Sequence, residues 1–288
     1  MKLGGYSPEF NFATVEEVFE EMAKLGFSQV QYDFITSHSD EMPKTITDKE
    51  LYRIKQASQD YGIQILAING TFNMADSSKA YRDEYSKRFE NIAIACNALD
   101  CGIITLCTGS RSSESMWRYH PDNVSQEAWD DMIQTTQSIL PYAEKHHVTL
   151  GVETEASNVV FSIERTRKYL DEINNPHLKV IMDCANLFPA GTAKRENVQA
   201  TIQHAFDVLG KDIVLAHGKD ICESKGSGIP DPIVFASPGK GIVDYDFYFS
   251  LLKKINYANG LILHGIHHAE EFKPSIRAMQ KSLIVAGY

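Results

Sequence analysis

The chain has 288 residues, of which 43% are hydrophobic and 23% charged, a balance that is ordinary for folded proteins and excludes a disordered chain. The formal net charge of −10 opposes contact with a phosphate backbone, so a nucleic-acid partner is not expected. The five cysteines form no C-x-x-C pair and no segment approaches about 18 uninterrupted apolar residues, which predicts a cytoplasmic protein without disulfides or a membrane partner.

Helices with marked ends appear early in the chain. Thr14 and Glu17 form a capping-box pattern, apolar residues follow at helical spacing, and Gly26 provides a stop. Thr47 and Glu50 repeat the pattern before a second helix. The helices are predicted at 14–25, 48–61, 79–99, 125–147, 162–174, 191–209, 246–255 and 275–286.

Short apolar runs alternate with these helices. Their apolar residues are nearly continuous, which is typical of parallel strands that are covered on both faces. The strands are predicted at 2–5, 28–33, 63–69, 103–107, 148–153, 178–183, 212–217 and 260–264.

Eight rounds of strand and helix predict an α/β fold, a (β/α)8 TIM barrel that occupies 1–288 as a single domain. An open doubly wound sheet is less consistent, because the turn after the first strand does not match G-x-G-x-x-G. Pro141 is expected to kink or end the fourth helix. The stretch 220–244 is rich in Gly, Ser and Pro, and it is predicted to be an active-site loop after the seventh strand.

Four consecutive predicted strands end in residues that can bind a metal. These residues are Glu153, Asp183, His217 and His264. Each alone is ordinary, since a carboxylate at a strand end is usually solvated and a lone His is usually packed. The strand ends of a barrel meet at one mouth, however, where two carboxylates and two imidazoles can surround one divalent ion. The sequence therefore predicts a metal site at the C-terminal mouth of the barrel.

Four segments carry a resemblance to a known family: GVETE at 151–155, DCAN at 183–186, HGKD at 217–220 and PGKGIVD at 238–244. They resemble the xylose isomerase-like barrels, which include sugar-phosphate isomerases, ketose 3-epimerases, inosose dehydratases and endonuclease IV. The resemblance implies that Glu153, Asp183 and His217 bind the metal. It also implies a divalent ion as cofactor and allows a homodimer.

The fourth ligand departs from the family pattern, because His264 stands where the family has a Glu at the end of strand eight. In the family's epimerases two facing glutamates remove and return a proton. Because His264 replaces one of them, the sequence argues against this symmetric two-carboxylate epimerisation here. The endonuclease branch is a distant alternative, because the residue three beyond Asp183 is Asn186 where that branch has a His. His267 and His268 follow closely and could replace His264 as the ligand.

Further residues near the strand ends are candidates for catalysis or substrate binding. Glu155 could act as a general acid or base, and Lys219 could hold a substrate hydroxyl, carboxylate or phosphate. Asn186 could orient a metal ligand, contact a substrate hydroxyl or cap a helix. Arg111, with Trp117, Arg118 and Tyr119 further along the loop after strand four, could bind an anionic or hydroxylated ligand or lie on the surface. Phe72 could form an apolar wall against a sugar ring or pack within the barrel top.

Taken together, these residues predict a metal-dependent isomerase or epimerase of a small sugar, keto-sugar or sugar phosphate that acts through an enediolate. Glu153 or Glu155 would take the proton, and the metal would be Mn²⁺, Mg²⁺, Co²⁺ or Zn²⁺. One alternative is a metal-dependent lyase or dehydratase of a keto-sugar, which His264 motivates. Another is a barrel that binds sugar or metal without catalysis.

Overall fold

Eight parallel strands close into a barrel in which each strand pairs with its neighbours in parallel register. A computed structural model describes residues 1–37, 40–226 and 233–288 of the chain. The last barrel strand returns to the first, with Leu3 paired to Leu261 and Gly5 paired to Leu263. The predicted (β/α)8 TIM barrel is therefore confirmed. Its strands are β1 (Leu3–Tyr6), β2 (Gln29–Tyr32), β3 (Gln64–Asn69), β4 (Ile103–Leu106), β5 (Thr149–Glu153), β6 (Leu178–Asp183), β7 (Ile213–Gly218) and β10 (Leu261–Leu263).

A short antiparallel hairpin interrupts the alternation after β7. It consists of β8 (Asp220–Ile221) and β9 (Phe235–Ala236), and it lies within the loop that the sequence predicted at 220–244. Residues 227–232 of that loop are outside the described residues. The barrel helices are α1 (Val15–Leu25), α2 (Asp48–Tyr61), α3 (Lys79–Ala98), α4 (Gln126–His146), α5 (Ile163–Ile173), α6 (Val198–Leu209), α7 (Tyr245–Lys254) and α8 (Ala269–Val285).

The helix ends follow their capping residues. The Thr14 side chain accepts a hydrogen bond from the Glu17 backbone, and the Glu17 carboxylate accepts one in return, so the capping box at α1 is complete. Pro141 lies inside α4, which continues to His146, so of the two expected effects, a kink or an end, the helix does not end at Pro141. No described helix is both long and apolar enough to cross a membrane.

Two predicted helix starts were wrong. α6 begins at Val198 and not at 191, because residues 195–197 form a separate 3-10 turn. α8 begins at Ala269 and not at 275, since Glu270 and Glu271 stabilise its first turn and Pro274 removes only one backbone hydrogen bond.

The buried apolar residues form two clusters, one outside the strands of the barrel and one inside them. The larger cluster packs the helices onto the outside of the barrel. A smaller cluster comes from strands on opposite sides of the barrel, such as β3 and β7, and therefore fills its interior. The barrel is thus a packed core, and polar residues are concentrated at the C-terminal strand ends. The interior cluster is Leu66, Ala67, Ile103, Ile181, Leu215 and Ile262.

Candidate metal centre

Three side chains converge at the ends of neighbouring strands β5, β6 and β7. Glu153, Asp183 and His217 each offer one ligand atom, and these atoms all lie within 4.8 Å of one another. Nδ1 of His217 is 3.4 Å from Oε2 of Glu153 and 3.9 Å from Oδ2 of Asp183. The strand register produces this cluster, because Asp183 and His217 are direct partners across β6 and β7.

The cluster fits a divalent cation because two of its polar atoms lack partners. Oδ2 of Asp183 and Nδ1 of His217 are buried without a hydrogen bond from any described residue. Nε2 of His217 lies 2.9 Å from Oε1 of the Gln31 side-chain amide, which can only accept, so Nε2 is a donor and Nδ1 is the ring nitrogen that faces the carboxylates. Oδ2 of Asp183 and Nδ1 of His217 are costly to leave buried without partners, and a bound cation would satisfy them together with Glu153.

The pKa values of the clustered groups depend on one another's charges. Burial, followed by the charge of Glu153, raises the pKa of Asp183 to about 7. Burial also pushes the pKa of Glu153 upward, but the nearby charges of His217 and Lys219 outweigh it and hold that pKa below its usual value. Without a cation the cluster therefore retains a proton near neutral pH. Binding a metal would displace it.

His264, the predicted fourth ligand, lies beside this cluster and not within it. Its ring is stacked between Tyr6, at a centroid distance of 4.5 Å, and His217, at 4.2 Å. Burial, and then the charges of His217 and Lys219, lower its pKa well below the usual value, so the ring is neutral. Its Nε2 is buried without a partner among the described residues. His267 and His268 are exposed, so they are not alternatives at the cluster.

A hydrogen-bonded chain connects Lys219 to the cluster. Nζ of Lys219 donates to Oδ1 of Asn186 at 2.9 Å, and Nδ2 of Asn186 donates to Oε1 of Glu153. Nζ also lies 3.6 Å from the centre of the Phe235 ring. Burial lowers the pKa of Lys219, but the carboxylates around it, Asp183 first, raise it further, so the ammonium stays charged. Asn186 therefore orients Glu153, which sequence reasoning left open.

Glu155 lies near the same ammonium and faces the cavity. Its Oε1 accepts a hydrogen bond from the Ser157 backbone at 3.0 Å. Burial raises the pKa of Glu155, while Lys219 opposes the rise. A buried carboxyl group whose pKa lies above its usual range is suited to proton transfer near neutral pH.

A cavity of about 700 Å³ opens above the cluster at the C-terminal mouth of the barrel. Polar strand-end residues form its base, and loop residues form its rim. Of the predicted site residues, the cavity contacts Glu153, Glu155, Asn186, Lys219 and His264. Its remaining lining residues are Tyr6, Gln31, Glu41, Asn69, Thr71, Thr105, Leu106, Cys107, Trp117, Arg118, Tyr119, Ser157, Ala190, Ile233 and Phe235.

Two residues predicted to bind substrate do not line this cavity. The Arg111 guanidinium is buried against Asp131, at 2.7 Å. Phe72 is buried and its ring stacks on Tyr85. Both side chains are held by packing inside the protein, so the structure does not support substrate contact for either.

Sequence reasoning missed a polar group on the opposite wall of the cavity. Asp33 follows β2 and is fully buried, and its Oδ2 accepts hydrogen bonds from the Tyr6 hydroxyl at 2.6 Å and from Nδ2 of Asn69 at 2.7 Å. The available signal was the presence of polar residues in otherwise apolar strands, such as Gln31 within β2. Such residues need buried partners, and in a barrel those partners lie near the mouth.

A second missed residue is Glu9, which follows β1. Its Oε1 accepts a hydrogen bond from the Gly265 backbone at 2.6 Å, and the Ile266 backbone donates to the same carboxyl group. Its Oε2 is buried with no partner in the described parts of the chain. Burial raises the pKa of Glu9 to about 8, against the lowering effect of these backbone donors. Glu9 therefore anchors the segment that follows His264.

The HGKD and PGKGIVD segments meet through one carboxylate. Asp220 accepts hydrogen bonds from the backbone of Ile221, Gly239, Gly241 and Val243, all between 2.9 and 3.0 Å. A side chain on Gly241 would collide with Oδ1 of Asp220, because the added carbon would lie 2.2 Å away. The turn at 238–243 therefore needs a glycine at 241 to approach the Asp220 carboxylate. Asp220 in turn has a structural role, because it holds this turn beside the cavity.

Comparisons with known proteins agree with this architecture. A family model described as a xylose isomerase-like TIM barrel matches residues 19–283. A putative L-ribulose-5-phosphate 3-epimerase of Haemophilus influenzae is 34% identical over 126 residues, which cover 42% of this chain and 39% of that protein. The match thus spans about two fifths of the length of this relative.

Two solved structures illustrate the shared fold. A probable 3-DHS dehydratase involved in petrobactin synthesis from Bacillus anthracis has a TM-score of 0.75 at 15% identity, over 97% of this chain and 99% of that chain. A D-psicose 3-epimerase, solved in the presence of D-fructose, has a TM-score of 0.69 at 18% identity, over the whole of both chains. At these identities the likeness shows the fold.

Proposed function

Because the chain belongs to the xylose isomerase-like TIM barrel family, we propose that it is an isomerase or epimerase of a small sugar, keto-sugar or sugar phosphate that depends on one divalent metal ion. The observation that carries the proposal is the cluster of Glu153, Asp183 and His217, which has unpartnered buried atoms and reaches the cavity through Glu153. The partial match to a putative sugar-phosphate epimerase supports the same reaction class.

The three clustered residues would hold the ion through two carboxylates and Nδ1 of His217. Mn²⁺, Mg²⁺, Co²⁺ and Zn²⁺ all suit this mixture of oxygen and nitrogen ligands. A cation held there would supply positive charge to the carbonyl and hydroxyl oxygens of a substrate and so acidify the adjacent C–H bond. Asn186 fixes one oxygen of Glu153, which leaves the other free to face the cluster.

Glu155 and Lys219 would then act on the substrate itself. Glu155 takes the carbon-bound proton, since its buried carboxyl group faces the cavity and has a raised pKa. Lys219 stays charged among the carboxylates, and it positions a substrate oxygen. His264, which stacks on His217, is a neutral ring, so it exchanges hydrogen bonds with a substrate hydroxyl more readily than it stores a proton. Because Glu155 can take a proton and His264 does not readily store one, the site favours a reaction that uses one base.

Metal binding is the first test. Purified protein should contain or take up one divalent ion per chain, measured by elemental analysis and by competition with a chelating dye. Glu153→Gln should weaken the affinity, because it removes a charged ligand, whereas His264→Glu should retain or strengthen it. Wild-type protein that binds no divalent ion would remove the proposal.

Proton exchange tests the reaction. The metal-loaded protein should incorporate deuterium from heavy water into a keto-sugar at the carbon beside the carbonyl, and Glu155→Gln should abolish this incorporation. The absence of exchange with every bound ketose would leave a sugar or metal-binding barrel without catalysis.

A lyase or dehydratase is the second candidate, and the replacement of a carboxylate by the neutral ring of His264 favours it. Product mass separates the two reactions. A stereoisomer has unchanged mass, whereas loss of water gives an unsaturated product that absorbs in the ultraviolet.

The partners are also part of the proposal. We expect a small-molecule sugar as a partner and no nucleic acid, in keeping with the net charge of −10. A homodimer rests on the family alone, and light scattering of the purified protein would show it. A cytoplasmic location is proposed from the five cysteines, which form no C-x-x-C pair.

A further inference from the structure

The loop that follows β4 is fixed in place by buried amides. The Asn158 side chain accepts a hydrogen bond from the Gly109 backbone at 2.7 Å and donates to the Met116 carbonyl at 2.9 Å. The Asn73 side chain pairs with both backbone groups of Ser110, at 2.8 and 3.0 Å. A loop tied at these points does not collapse onto the cavity. It presents its outer residues at fixed positions on the rim.

Two aromatic residues of this loop line the cavity and remain largely uncovered. Trp117 is 52% exposed and Tyr119 is 58% exposed. Within the described ranges, neither ring stacks on another ring or a cation, and neither the indole N–H nor the phenol hydroxyl has a hydrogen bond. The other tryptophan, Trp129, is buried, and its indole N–H donates to Glu172 at 2.9 Å. Trp117 and Tyr119 therefore offer aromatic faces and free donors at the mouth of the cavity.

The charges that line the cavity disfavour a phosphate group at this rim. Lys219 already donates a hydrogen bond to Asn186 and lies over the Phe235 ring, and Arg118 forms an ion pair with Glu114. Glu41 adds a further acidic group to the wall. Each cation among the described lining residues therefore already has a partner, whereas a phosphate carries close to two negative charges at neutral pH.

From this arrangement we propose that Trp117 and Tyr119 form a rim subsite for an uncharged sugar ring, so that the substrate is a keto-sugar extended by a glycosyl group and not a phosphate ester. The inference rests on the proposed function for the keto-sugar end, which the metal cluster would bind. The glycosyl ring lies over the indole face, where its C–H groups contact the aromatic surface, and its hydroxyls meet the indole N–H and the phenol.

Three ketoses that differ only at the hydroxyl of carbon six provide the test. These are D-fructose, D-fructose 6-phosphate and isomaltulose, in which a glucosyl group occupies that position. Calorimetric titration of the metal-loaded protein should show isomaltulose binding about three- to tenfold more tightly than fructose, which corresponds to one aromatic contact. Fructose 6-phosphate should bind no more tightly than fructose. Isomaltulose should also change the emission of Trp117, one of the two tryptophans.

Variants assign the preference to the rim. Trp117→Ala should remove the advantage of isomaltulose over fructose. Tyr52→Ala is the matched control, because Tyr52 is 70% exposed on α2 and does not line the cavity, and it should retain the advantage.

Several results would overturn the rim subsite. These are equal binding of fructose and isomaltulose, an isomaltulose preference that survives Trp117→Ala, and tightest binding of fructose 6-phosphate. The proposed function fails separately. If isomaltulose keeps its Trp117-dependent preference with and without metal while no ketose exchanges a proton, the subsite stands and the isomerase proposal falls.

Discussion

Replacing Glu9 by Gln should stabilise the protein at neutral pH. The carboxyl group is buried beside Gly265, one oxygen accepts backbone hydrogen bonds, and the other has no partner among the described residues. A Gln amide has the same shape and keeps an accepting oxygen, but it never ionises. The substitution therefore removes the cost of protonating this buried carboxyl group at neutral pH and leaves the packing unchanged.

The magnitude follows from the pKa of Glu9, which is about 8 in the folded protein against 4.5 for the free side chain. A carboxyl group whose pKa is raised on folding contributes stability that is complete below the unfolded pKa and is lost as the pH rises through the folded one. Each pH unit between the two values costs about 1.4 kcal/mol. Glu9→Gln should therefore be nearly neutral at pH 4.5, stabilise by about 3 kcal/mol at pH 7, and change little further above pH 8.

Urea unfolding at pH 5, 7 and 9 measures this directly, with fluorescence as the probe and a chelator present to keep metal binding constant. The stability difference between variant and wild type should widen from pH 5 to pH 7. The exposed Glu196 provides a control for the loss of a surface carboxylate, and at pH 7 Glu9→Gln should stabilise the protein more than Glu196→Gln does. A Glu9→Gln curve that runs parallel to the wild-type curve would refute the reasoning.

Three other predictions concern the loops and the metal. Gly109→Ala should lower the free energy of unfolding by about 2 kcal/mol or more, measured by thermal unfolding, because Gly109 has φ 81° and the added carbon would lie 2.0 Å from Oδ1 of Asn73. Gly102→Ala is the control: its added carbon meets nothing within 4 Å, so it should change the free energy of unfolding by less than about 0.5 kcal/mol. Asp220→Ala should lower the free energy of unfolding by about 3 kcal/mol or more, measured with urea, since four backbone N–H groups lose their acceptor. The same variant should be cleaved more readily by protease within 236–243, and unchanged cleavage would contradict this role of Asp220. Metal affinity should fall as the pH drops below about 7, because Asp183 has a pKa of about 7 and must ionise to bind a cation. Dye competition from pH 5.5 to 8 measures this, and an affinity that does not change with pH would argue against Asp183 as a ligand.

Most of the fold could be predicted from the sequence because local signals and the overall pattern agree. Capping residues such as Thr14 mark helix starts, and apolar runs of strand length mark the barrel strands. The errors occurred where a local signal was ambiguous. The start of α6 was hidden by a 3-10 turn, and α8 was predicted to begin at 275, although Pro274 lies inside that helix.

The cluster of candidate metal ligands could be predicted for a different reason. Glu153, Asp183 and His217 each end a strand, and parallel strand ends must meet at one mouth. The position of His264 at a strand end was also predicted, but its rotamer depends on stacking against Tyr6, which no local pattern encodes. Glu9 was missed for the same reason, because only the closed barrel brings it to Gly265.

The contacts of Tyr6 and Glu9 have a consequence for how the protein is made. Tyr6 ends the first strand and Glu9 follows it, while their partners His264 and Gly265 follow the last strand, so these contacts cross the seam where the barrel closes. A ribosome releases β10 after the other seven barrel strands, because β10 comes last of the eight along the chain. The site therefore reaches its final form as one of the last steps of folding, and a nascent chain that lacks β10 carries the cluster residues without the wall that encloses them.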